Sequence, residues 1–122
     1  MRTMAQKRAE FALARVLFIK DKKDFQSFSA GAPSMILQNG FGQTLAFWLA
    51  KSKSEKSEHM ALFDISTRWL KQTDMKHFGD CRQPKDYIQK LSTMEQREYL
   101  NNQNETLALL EWVKRFANAD LS

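Results

Sequence analysis

Apolar residues recur along most of this chain at steps of three and four, the spacing of one helix face, and nowhere alternate over a useful length. Between residues 4 and 20, a stretch without Gly or Pro, Ala5, Ala9, Ala12, Val16 and Ile19 make such a face, and Leu13 and Leu17 broaden it. Thr3 is the expected N-cap of this helix, with Gln6 as its capping-box partner. The charged run Lys20-Asp21-Lys22-Lys23-Asp24 marks an exposed end or loop.

A short apolar helix follows over Ser34 to Gln38, with Pro33 suited to its first turn. Asn39-Gly40 ends it, Gly40 supplying the positive φ of a Schellman or αL stop. A hairpin would need alternating flanks, and these do not alternate. A third helix over about 42–51 buries Leu45, Trp48 and Leu49, and the polar stretch 51–58 forms an exposed loop leading into the next helix. Leu62, Ile65 and Trp69, flanked by Phe63 and Leu70, define a fourth helix to about Lys71.

Gly79, Pro84 and a polar majority make 72–84 irregular. A short helix after Pro84 carries Tyr87, Ile88 and Leu91. Thr93, with Gln96 three residues on, caps a long final helix through Ala117, whose apolar content is Leu107, Leu109, Leu110, Trp112, Val113 and Phe116. The expectation is all-α: one compact helical domain over residues 1–122, built from about five to six helices.

A chain of 122 residues fits one domain with a real core. Four Gly and two Pro exclude collagen-like and wholly disordered chains, and the lone Cys81 excludes a disulfide scaffold. The basic start lacks the apolar stretch of a signal peptide, and the uncharged run 25–50 is broken by polar residues well short of a membrane helix. The cytoplasm is the expected location, with no membrane partner.

Charge changes the picture more. The formal net charge is +5, and it is unevenly placed. Residues 1–25 hold seven basic and three acidic side chains, whereas residues 95–122 hold three basic and five acidic. That asymmetry points to an acidic partner or to head-to-tail contact between copies.

Signatures of chemistry are missing: no phosphate loop, no nucleophile elbow and no HExxH. His77 and Cys81 stand four apart, but Gly79 interrupts them and a structural zinc needs two more ligands. No nearby feature gives Cys81 a base. No catalytic residue, metal or cofactor is expected.

The positive features are binding features. Arg8, Phe11, Arg15, Phe18 and Lys22 follow steps of three and four, a basic-aromatic stripe if the first helix extends that far. Guanidinium groups meet phosphates in two-pronged fashion and rings stack on bases. Alternatively, Phe11 and Phe18 belong to the core with Arg8 and Arg15 at its edge, the arginines staying available either way. Gln38, Asn39, Gly40, Gly42 and Gln43 combine two glycines with three carboxamides. They form either a docking point for a nucleic-acid backbone or partner loop, or a tight helix corner. Lys114 and Arg115 complement the dipole of the last helix or project as a phosphate-contacting pair.

The run Gln38-Asn39-Gly40-Phe41-Gly42-Gln43-Thr44-Leu45-Ala46-Phe47-Trp48-Leu49-Ala50-Lys51 resembles the central motif of the small subunit of the Cmr complex, the type III-B CRISPR RNA-guided effector. Gln6-Lys7-Arg8-Ala9 with Phe11-Ala12 resembles that family's opening helix, and residues 105–117 its closing one. The three matches occur in the family's order and span nearly the whole chain; 72–90 matches nothing. The resemblance implies a compact, non-catalytic, all-helical protein. Several copies would stack along the effector, beside the backbone and large subunits, and help line the channel where guide and target RNA pair.

The expected RNA-contacting residues are therefore Arg8, Arg15, Lys51, Lys114 and Arg115, and the expected subunit or backbone contacts are Gln38, Asn39 and Gln43. Two other roles compete. One is a protein-interaction spacer whose basic face meets acidic subunits. The other is a helix-turn-helix DNA binder with Gly40 in the turn and 43–51 as recognition helix.

Overall fold

The computed structural model describes residues 1–52 and 57–119. Every regular element among them is helical: α1 (Met4–Leu17), α2 (Lys22–Ala30), α3 (Ala32–Asn39), α4 (Phe41–Lys51), α5 (Glu58–Thr73), α6 (Met75–Phe78), α7 (Pro84–Thr93) and α8 (Gln96–Asn118). The all-α expectation holds, but the described residues contain eight helical segments, not five or six. The middle of the polar stretch 51–58 lies outside the described residues.

Local chemistry explains the first boundaries. The Thr3 hydroxyl accepts from the Gln6 N–H while the Gln6 side chain accepts from the Thr3 N–H, so the expected capping box is present. The helix stops at Leu17, a turn earlier than the apolar pattern predicts. The charged segment after it is no simple loop, because the Asp21 carboxylate accepts from the Asp24 N–H and starts α2.

Gly40 does have positive φ, but at φ 90° and ψ 154° it lies outside the αL region of a Schellman stop. Its N–H bonds the Ile36 carbonyl at 2.8 Å while its own carbonyl accepts from Thr44, so this one residue closes α3 and opens α4. Thr93 corrects the expectation for the last helix. It is the final residue of α7, its hydroxyl donates back to the Gln89 and Lys90 carbonyls, and Glu95 is the N-cap of α8. The segment 72–84 holds the end of α5 and the one-turn α6, which Asp74 caps by accepting from the His77 N–H.

Helix α8, about 35 Å long at 1.5 Å per residue, is the spine. It packs against α1, α2, α3 and α5, and α4 packs on α3, α5 and α7. Helix α1 runs parallel to α8: Arg8 meets Glu105, and Val16 and Leu17 share a groove with Phe116 and Ala117. Helix α5 runs antiparallel, since Trp69 meets Glu105 while Asp74, just beyond its C-terminus, meets Asn102. The core between these helices holds Ala12 and Val16 of α1, Leu45 and Trp48 of α4, Leu62, Ile65, Trp69 and Leu70 of α5, and Leu109, Leu110 and Val113 of α8. Ala5 and Leu17, though on the expected apolar face of α1, are exposed.

Candidate nucleic-acid interface

The basic-aromatic stripe does not survive as one face. The early stop of α1 leaves Lys22 in another helix and turns Phe18 outward, 80% exposed, while Phe11 is buried against Trp69 with ring centroids 5.0 Å apart. The alternative of two core phenylalanines therefore holds for Phe11 and fails for Phe18.

Arg8 is also redirected, and the expectation that it stays available to a partner is corrected here. Its Nε donates to Glu105 Oε2 at 2.6 Å and a terminal nitrogen donates to Oε1 at 3.0 Å, the bidentate fork that suits a carboxylate. Trp69 Nε1 donates to the same Oε2 at 2.8 Å. Hydrogen bonding to Glu105 raises the Arg8 guanidinium, against a lesser opposing effect of burial. Burial pushes the Glu105 carboxyl up, but the Arg8 and Trp69 hydrogen bonds outweigh it and hold the carboxyl below its ordinary value. Arg8 thus joins α1 to α8. The basic front of the chain meets acid within its own last helix, which accounts for part of the charge asymmetry without any partner.

Arg15 is half-buried, its guanidinium 4.9 Å over the Phe11 ring. Lys51 is exposed at the end of α4, its ammonium 5.7 Å from the Phe47 ring. Phe47 lies beside His59 in the first turn of α5, and His59 stacks near Phe28 of α2. Glu58 and Ala61 of that same turn line a groove with Phe18, Lys20 and Phe25. A second groove joins Leu17, Lys22 and Phe25 to Phe116 and Ala117. One end of the bundle therefore gathers the α1–α2 corner, the last turn of α4, the first turn of α5 and the last turn of α8. It carries exposed Lys20, Lys22, Lys23, Lys51 and Arg115, with Lys114 partly covered. Of the corner's lysines the sequence pattern singles out Lys22 alone, as part of the stripe, because two aspartates interleave with the others.

The amide cluster lies at the other end. The Gly42 N–H donates to the Tyr99 hydroxyl at 2.7 Å, which supplies an acceptor to the first turn of α4, where Gly40 has no side chain to offer. A Cβ on Gly42 would stand 3.3 Å from that hydroxyl, so glycine permits this close approach. Gln38, Asn39 and Gln43 surround this corner and are exposed. Tyr99 and Lys114 are fifteen residues apart on α8, about 22 Å of helix rise. The structure thus splits the expected contacts into a basic end and an amide end.

This fold has known company. A family of CRISPR-associated proteins, Cas_Cmr5, matches residues 4–120. The chain belongs to this family. A crystal structure of a CRISPR-associated Cmr5 family protein from Thermus thermophilus is similar at 26% identity and TM-score 0.77, covering 100% of both chains. The resemblance noted in three sequence segments thus extends over the whole Cmr5 fold, including 72–90, where no motif is recognisable. Cmr5 membership makes the protein a Cmr complex small subunit, associated with other subunits of that complex. Among the described residues, no helix is long and apolar enough to cross a membrane.

The groups nearest to chemistry are engaged in the fold. His77 Nδ1 lies 2.8 Å from Asp74 Oδ2. Cys81 is buried, its thiol pushed up chiefly by burial. Lys71 Nζ donates to the Cys81 carbonyl at 2.7 Å.

Proposed function

We propose that this chain is a non-catalytic structural subunit of a type III-B CRISPR ribonucleoprotein acting in the cytoplasm in antiviral defence. Several copies stack along the effector and help line the channel that holds the guide–target RNA duplex. The observation that supports this best is the basic end of the bundle. Lys20, Lys22, Lys23, Lys51 and Arg115 are exposed there, and none of them forms an ion pair among the described residues. Arg15 and Lys114 add to it from partly covered positions, whereas Arg8 is set aside because Glu105 holds it. Side chains of this kind contact phosphates without reading bases, which suits a system in which the guide reads sequence. A single copy contributes few such contacts, so affinity builds from several copies acting together. Gln38, Asn39 and Gln43, at the far end, serve contacts with a neighbouring copy or a backbone subunit.

A protein spacer without RNA contact is the second reading, favoured by the exposed apolar Leu17 and Phe18 at the same end. A recognition helix over 43–51 is disfavoured, because α4 lies against three other helices with Leu45 and Trp48 fully buried. The double charge reversal Lys51→Glu with Arg115→Glu separates the first two. Loss of RNA crosslinking with intact assembly supports the channel role; loss of assembly with intact crosslinking supports the spacer.

A further inference from the structure

The Phe18 ring stands in the open at 80% exposure, and its position has a local cause. It is the C-cap of α1, its N–H bonded to the Arg15 and Val16 carbonyls, so the chain turns at this residue and carries the ring away from the core. Lys20, Lys22 and Lys23 follow within five residues, all exposed. Asp21 and Asp24 interleave with them, the Asp21 carboxylate capping α2 by accepting from the Asp24 N–H. The corner offers one bare ring and three ammonium groups on flexible stems against two carboxylates, beside the groove formed with Phe25, Glu58 and Ala61.

We propose that the α1–α2 corner is a contact for unpaired RNA: one unstacked base lies on the Phe18 ring while Lys20, Lys22 and Lys23 hold the flanking phosphates. The inference rests on the RNA-facing role proposed above and goes beyond it by naming the ligand as single-stranded, since bases inside a duplex present no free face to a side-chain ring. Aromatic stacking tolerates any base, so the contact is indifferent to sequence. The exposed Leu17 beside the ring would suit a protein partner; the three exposed lysines that follow within five residues favour RNA over it.

The test measures fluorescence anisotropy of the full chain at low salt with two labelled probes of equal length, an oligouridylate strand and an RNA duplex. Phe18→Ala should weaken strand binding about five- to a hundredfold and leave duplex binding unchanged. Phe18→Trp should restore strand binding. Lys22→Gln with Lys23→Gln should weaken both probes and lower the strand's salt slope by about 0.7 for each phosphate no longer neutralised. Because Phe18 is exposed, Phe18→Ala should leave the melting temperature unchanged. If Phe18→Ala leaves strand binding unchanged while Lys51→Glu with Arg115→Glu still lowers crosslinking, the corner assignment is overturned and the channel role stands. If no variant changes binding or crosslinking, both fall. If Phe18→Ala instead blocks copurification with other subunits and spares RNA, the corner is a protein contact and the inference is wrong.

Discussion

Arg8 closes on Glu105 across 97 residues of sequence, and that carboxylate also accepts from Trp69, so one side chain ties α1, α5 and α8 together. Both partners of the ion pair are about one-fifth exposed. Removing Glu105 leaves a mostly covered guanidinium and an indole N–H without their acceptor. Glu105→Ala should therefore cost about 2–3 kcal/mol, read as a lower denaturant midpoint at unchanged slope. Trp69→Phe loses only the indole hydrogen bond along with some ring area and should cost less, about 1 kcal/mol for the bond itself.

Acid should loosen the same junction. Burial pushes the carboxyls of Glu105 and Asp74 up, but Arg8 and Trp69 on one, and Asn102 and His77 on the other, hold both below their ordinary values. Groups depressed in the folded state contribute stability that is complete above the unfolded value and is lost as pH falls through the folded one. Thermal midpoints should thus fall as the solution is acidified below the ordinary carboxylate range. The slope should be shallower in Glu105→Gln, which has no carboxylate there to titrate.

Two glycines should respond oppositely to alanine. Gly40 sits at φ 90° and ψ 154°, a region closed to residues with a Cβ, so Gly40→Ala should cost about 1–3 kcal/mol. Gly31 has φ −97° and nothing within 4 Å of a built Cβ, so Gly31→Ala should be neutral or stabilise by about 0.4–1 kcal/mol. Equal losses at both positions would contradict the description of the α3–α4 corner.

Tyr99 acts as a long-range cap for α4. Tyr99→Phe removes the acceptor of the Gly42 N–H and should lower stability by about 1 kcal/mol, with faster amide exchange at Gly42 than elsewhere in α4.

Much of this fold is legible in the sequence because it rests on short-range rules. Thr3 and Gln6 are three residues apart, Pro33 and Pro84 mark first turns, and the α5 pattern Leu62, Ile65, Trp69 is buried as its spacing implies. Other features depend on distant partners. Arg8 looks like a surface cation until Glu105 arrives, and Gly42 looks like a flexible point until Tyr99 fills the space beside it. Thr93 and Gln96 match a capping box, yet Met94 and Glu95 break the chain between two helices and leave Thr93 bonded backward. Helix α2 is obscured by alternating charge, although its Asp21 cap is a local signal that marks its start. The separation of the amide and basic ends follows from the length and direction of α8, which residue spacing alone does not convey.

The central claim is that the basic end of this Cmr5 chain faces RNA. The most direct measurement is copurification with the assembled Cmr complex followed by mapping of RNA-crosslinked peptides. Crosslinks should fall in peptides covering residues 15–23, 51 and 114–115, and should be missing at Arg8. Crosslinks confined to the α3–α4 corner, or none on this chain in a complex that carries its RNA, would contradict the account.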